Sequence, residues 1–114
     1  MPQGEEYLAD ALARCRQMAG QIATLEQGDD AWRSDVGQRL SAVADLLQSI
    51  EGRFFLRSKL CLPFARRCAE GAESLEAALG RAEATDQVDQ TLQALELAAR
   101  TLDERSQMQG MSIT

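Results

Sequence analysis

The residues able to do chemistry in this chain form a short inventory: three cysteines, Cys15, Cys61 and Cys68, carboxylates on every segment, and no histidine. Without histidine there is no Ser-His-Asp or Cys-His catalysis, no phosphohistidine relay, and no ordinary catalytic zinc site. The glycines are scattered and build no phosphate-cradling loop. On one continuous helix Cys61 and Cys68 would lie roughly 10 Å apart along the axis, too far for a disulfide. Cys15 and Cys68 fall on apolar seams and read as small core hydrophobes. Cys61 stands beside Lys59 and near an expected helix start, a setting that lowers a thiol pKa and favours the reactive thiolate. Carboxylate pairs such as Glu73 and Glu76 read as a solvated face. The inventory therefore predicts no catalysis, no bound metal and no cofactor, with a thiol-based regulatory role for Cys61 or Cys68 as the alternative.

A second cluster lies at residues 51–68, EGRFFLRSKLCLPFARRC, which holds all three phenylalanines. Arg53, Arg57, Lys59, Arg66 and Arg67 face a single acid, Glu51, so the stretch is strongly cationic in a chain of net charge −6. That overall charge argues against nucleic acid, whose phosphates need cations, and against an anionic membrane surface. Arginine and aromatics together are the residues enriched where proteins meet. The plain structural reading is a corner: Phe54 continues a helical seam, Phe64 packs the turn, and the arginines pair with acids of other helices.

The elements that must position these residues are helices. Apolar residues recur at threes and fours through Leu8, Leu12, Cys15, Met18, Ile22 and Leu25. Gly28 then reads as a helix stop, and Asp29 and Asp30 as an N-cap and first turn. The second segment is the most regular: Trp32, Val36, Leu40, Val43, Leu47, Ile50 and Phe54 make a nearly heptad seam. It is expected to run to about residue 60, with Pro63 in the first turn of the next helix. Ala65, Cys68, Ala72, Leu75, Leu79 and Ala82 mark a third helix, weakened at Gly80. Val88, Leu92, Leu95, Ala99 and Leu102 mark a fourth, capped by Thr85 or Asp86. Asp10–Arg14, Asp35–Arg39 and Glu96–Arg100 are favourable i, i+4 pairs. No strand pattern competes. The expected fold is all-α, an antiparallel up-down bundle of about four helices in one domain over residues 1–106, with a flexible tail at 107–114. Seams this regular also permit a hairpin that forms a homodimer.

Helix lengths suggest a site. A second helix from 30 to 60 would be roughly 46 Å long and a first helix from 5 to 27 roughly 35 Å. Either the second helix breaks at Gly52, or its last turns outrun their neighbour and leave an apolar notch rimmed by cations. The expected partner-binding residues are Arg53, Phe55, Leu56, Arg57, Lys59 and Leu60, with Phe55 as anchor and the cations steering an acidic amphipathic helix of another protein.

The turn LEQGDDAW, residues 25–32, resembles the first interhelical turn of FliT-type flagellar export chaperones. The resemblance spans eight residues and implies a helical binding protein; no residue role is carried over from it. The arginine and alanine bias is that of a GC-rich bacterial genome. The start of the chain is not a secretory signal, and no apolar run approaches the roughly 20 residues of a membrane span. The sequence reading is thus a small, acidic, non-enzymatic cytoplasmic adaptor, chaperone or inhibitor, with a structural homo-oligomer as a further alternative. For the core it makes a direct prediction. Leu47→Ala should lower the unfolding free energy by about 2–5 kcal/mol in urea titration, and a loss under about half a kcal/mol would place the seam elsewhere.

Overall fold

The computed structural model describes residues 3–111, with the side chains of 55 and 108–111 outside the description. Four helices alternate in direction along the chain: α1 Gly4–Gln21, α2 Asp30–Ile50, α3 Leu62–Gly80 and α4 Thr85–Met111. There is no strand among the described residues.

The seams form most of the core as their periodicity predicts, with Leu12, Leu25, Trp32 and Leu79 only partly buried and Ala82, beyond the end of α3, exposed. Val36, Leu40, Val43, Leu47 and Ile50 of α2 are buried, as are Leu8, Ala11, Cys15 and Met18 of α1. From α3 come Ala65, Cys68, Ala72 and Leu75, and from α4 Val88, Leu92, Leu95, Ala99 and Leu102. Asp29 caps α2, its carboxylate accepting from the Trp32 backbone N–H at 2.8 Å. Pro63 sits in the first turn of α3, where a missing N–H costs nothing. α1 ends earlier than its apolar pattern, at Gln21, and continues as a 3₁₀ turn over Ile22–Thr24.

The arrangement of the helices is less simple than an up-down ring. α1 and α2 form one antiparallel hairpin, as Arg16 shows by reaching Asp45 and Gln48. α3 and α4 form another, with Gly71 against Leu95. Between the hairpins the neighbours are parallel. Gly4 lies beside Ala65 and Arg14 bonds Glu76, so α1 runs alongside α3 in the same direction. Trp32 reaches Asp89 and Arg39 reaches Glu96, so α2 does the same with α4. α2 and α3, consecutive in the chain, therefore occupy opposite corners. With neighbouring axes about 8–10 Å apart, the chain must cross a diagonal of roughly 11–14 Å. A tight turn cannot do that, and residues 51–61 are the crossover.

Of the two expected alternatives the structure shows the break at Gly52, not the long second helix running to about residue 60. α2 stops at Ile50 because Gly52 adopts φ +88, a left-handed conformation that glycine accepts without strain. A 3₁₀ turn, Phe54–Arg57, follows. Phe54 thus leaves the seam it was expected to continue and is 73% exposed. Leu56, expected on an open rim, points inward and is buried. α4 is helical as far as Met111, within the expected tail of 107–114, of which 112–114 lie outside the described residues. Ser106 is buried there, its hydroxyl donating to the Asp103 carbonyl and accepting from Arg53.

The first turn of α1 closes against the crossover. A Cβ at Gly4 would stand 2.6 Å from the Leu56 carbonyl oxygen, a backbone atom with little room to yield. Gly20, in the same helix, has open space where a side chain would go. Gly4→Ala should therefore destabilise by about 1–3 kcal/mol through overpacking. Gly20→Ala should stabilise by up to about 1 kcal/mol through helix propensity. Thermal and urea unfolding of both variants checks the opposite signs.

Candidate protein-docking site

The crossover places the residues that the sequence singled out, and most of its cations are engaged within the fold. Arg53 Nη1 donates to the Asp103 carboxylate at 2.8 Å, to Ser106 Oγ at 2.7 Å and to the Asp103 carbonyl at 3.2 Å. Both charged side chains of that pair are about three-quarters buried, which keeps solvent from screening it fully. Arg57 Nε donates to Glu5 of α1 at 2.6 Å, in a more exposed setting. Arg66 approaches Glu70 at 3.5 Å. Arg67 instead sits over the Phe64 ring, 5.5 Å from its centroid, and Arg105 of α4 is 5.3 Å from the same ring. The structural reading of a corner therefore accounts for Arg53, Arg57, Leu56 and Phe64.

Of the six expected partner-binding residues, two remain fully presented. Leu60 is 71% exposed and Lys59 is exposed. Arg57 is exposed with its guanidinium on Glu5, Arg53 is turned to α4, and Leu56 belongs to the core. The side chain of Phe55, the expected anchor, lies outside the described residues. Phe54, one position earlier, is an exposed large hydrophobic.

Sequence reading missed a neighbouring surface. The α3–α4 groove carries Phe64, Arg67, Ala94, Leu97, Ala98 and Thr101 around a recess of about 150 Å³. Leu97 is 58% exposed. The signal was present in the sequence: Leu97 lies two residues past Leu95, off the α4 seam, where a helix facing only solvent carries a polar residue.

The thiols are set for packing. All three cysteines are buried. Burial pushes Cys15 up to about 12 and Cys68 up to about 12, with the neighbouring Cys15 adding to the Cys68 shift. Burial also raises Cys61, the reverse of the lowering its place beside Lys59 suggested. Among the described residues no three Cys, Asp or Glu side chains converge as metal ligands. No described helix is long and apolar enough to cross a membrane. The predicted pair Glu96–Arg100 is replaced by a contact between helices, in which Glu96 accepts from Arg39 at 2.6 and 3.1 Å. That bond, more than the burial opposing it, holds the Arg39 guanidinium above its ordinary pKa.

Comparison with protein-family models, with curated proteins and with solved structures gave no match. The likeness of residues 25–32 to an export-chaperone turn is accordingly left at eight residues.

Two predictions follow from the thiols. At pH 8, a disulfide reagent should label the cysteines of the folded chain no faster than the chain opens; rapid stoichiometric labelling of Cys61 would revive the redox reading. A folded pKa raised above the ordinary 9.0 stabilises fully below that value and loses its effect as pH rises toward about 12. The urea midpoint should therefore fall across that window, and Cys68→Ala should make the fall shallower.

Proposed function

We propose that this chain is a non-enzymatic protein-binding module, an adaptor or chaperone-like bundle, whose docking surface lies at the crossover end. The observation that carries this reading is the pair of large apolar side chains left in solvent, Phe54 at 73% and Leu60 at 71% exposed. Both belong to a segment in which Leu56 and Cys61 are buried in the core. Two large apolar side chains exposed on one short segment offer apolar surface that a partner can cover. Lys59 between them, with Arg57 nearby, gives the surroundings a positive character that favours an acidic partner.

An apolar anchor among rim charges is the arrangement in which a few buried side chains supply most of the affinity. The charges act mainly on encounter. The reading favours a partner presenting an amphipathic helix, whose apolar stripe covers Phe54 and Leu60. The deep burial of the cysteines weighs for binding and against thiol chemistry.

The test is affinity capture from the native cell with the parent chain and with Phe54→Ser and Leu60→Ser together. Neither position contributes to the core, so the double variant should retain the parent's unfolding midpoint. A partner captured by the parent should be lost, with affinity reduced by more than about 1 kcal/mol. A captured partner that binds the variant equally well would remove the crossover as its docking surface.

A further inference from the structure

We infer that the α3–α4 groove holds a short helical segment of the partner whose apolar side chain enters the recess at Leu97 and whose carboxylates meet Arg67 and Arg105. The inference rests on the protein-binding reading and gives it a second contact site with defined chemistry. Three observations carry it.

The first is where cations are left unspent. Eight of the chain's eleven arginines stand in ion pairs: Arg14, Arg16, Arg33, Arg39, Arg53, Arg57, Arg66 and Arg81. Among the described residues Arg67, Arg100 and Arg105 have no carboxylate partner. In a chain with 18 acidic residues and 12 basic ones, an arginine without an acid is the exception. Two of those three converge on one ring, at 5.5 and 5.3 Å from the Phe64 centroid. Stacked on a ring, a guanidinium keeps its planar edge of N–H donors free to bind a carboxylate.

The second is the recess beside them. Phe64, Leu97, Ala98 and Ala94 give it apolar walls, and its volume of about 150 Å³ suits one apolar side chain. Leu97 is exposed, so an incoming group would cover surface the fold leaves wet.

The third is the register along α4. Ala94, Ala98, Thr101 and Arg105 are spaced by threes and fours, with Leu97 three past Ala94 and four before Thr101, and the set occupies one face over about 17 Å, the length of a three-turn helix. Small residues in the middle let another helix approach, and the cations lie toward the crossover end. Farther along α3, toward the α3–α4 turn, the groove carries Glu70, Glu73 and Glu83 with Arg81, three acids to one cation. The groove thus has a charge direction. A bound helix would place its acids near Arg67 and Arg105 and its neutral or basic end toward Glu73.

The probe is a synthetic alanine-based helix of about 18 residues, long enough to be helical in water. It carries leucines one turn apart with glutamates on the following turn. A second peptide replaces the glutamates by lysines. Amide chemical shifts of the isotope-labelled full chain are followed on titration. The acidic peptide should move the amides of Leu97, Ala98 and Thr101, and the lysine peptide should bind about tenfold more weakly. Leu97→Ala should weaken the acidic peptide about fivefold without changing the unfolding midpoint, and Arg105→Gln should narrow the gap between the peptides. Absence of groove shifts with the acidic peptide, or equal binding of both peptides, would overturn the inference. Shifts confined to residues 54–60 would also overturn it while leaving the crossover reading intact. Loss of crossover binding in the Phe54 and Leu60 variant is measured separately, so the two failures can be told apart. If sedimentation shows a dimer that Leu97→Ala dissolves, the groove's occupant is a second copy and the partner assignment fails.

Discussion

The chain must pass from one corner of the bundle to the opposite corner between α2 and α3, and much of the molecule answers to that crossing. It follows from packing the two antiparallel hairpins side by side with α1 against α3 and α2 against α4. A diagonal segment lies over the end of the core, so it has to supply its own seal and its own fastening. Leu56 is the seal, buried under the crossover. Arg53 is the fastening on one side, bonded to Asp103 and Ser106 of α4, and Arg57 reaches Glu5 of α1 on the other. The missing side chain at Gly4 lets the first turn of α1 come against the Leu56 carbonyl.

These demands explain why an acidic protein gathers cations and aromatics in one place. The nearby ends of α1 and α4 bring Glu5 and Asp103 to the crossover, and arginine joins such carboxylates through directed hydrogen bonds. The exposed groups around the fastening are equally informative. Phe54 and Leu60 are largely exposed, and Arg67 and Arg105 share Phe64 with no carboxylate partner among the described residues. The proposed binding role grows from those groups, on the end of the bundle and along the adjoining α3–α4 groove.

The regular helices were legible in the sequence because each buries a continuous stripe, and a stripe has a period. Val36 through Ile50 and Val88 through Leu102 are buried as their spacing requires. The crossover was not legible in the same way. Phe54 falls four residues after Ile50 and continues the heptad pattern, whereas Gly52 decides the backbone, and one glycine within a periodic run is a weak local signal. Once α2 stops there, Leu56 turns inward and the expected rim becomes core. The pairing of α1 with α3 in parallel has no local signal at all, since it depends on contacts such as Arg14–Glu76 between residues far apart in the chain. Leu97 could have been found, because it departs from a seam that was otherwise well defined.

The crossover is tied to α4 by Arg53 and Asp103, and a double-mutant cycle on that pair tests this fastening most directly. Arg53→Ala, Asp103→Ala and the double variant would be unfolded in urea beside the parent chain. Charge-assisted bonds shielded to this degree predict a coupling of about 1–3 kcal/mol. A coupling below about 0.3 kcal/mol, the level of independent sites, would mean that the Arg53–Asp103 pair does not fasten the crossover.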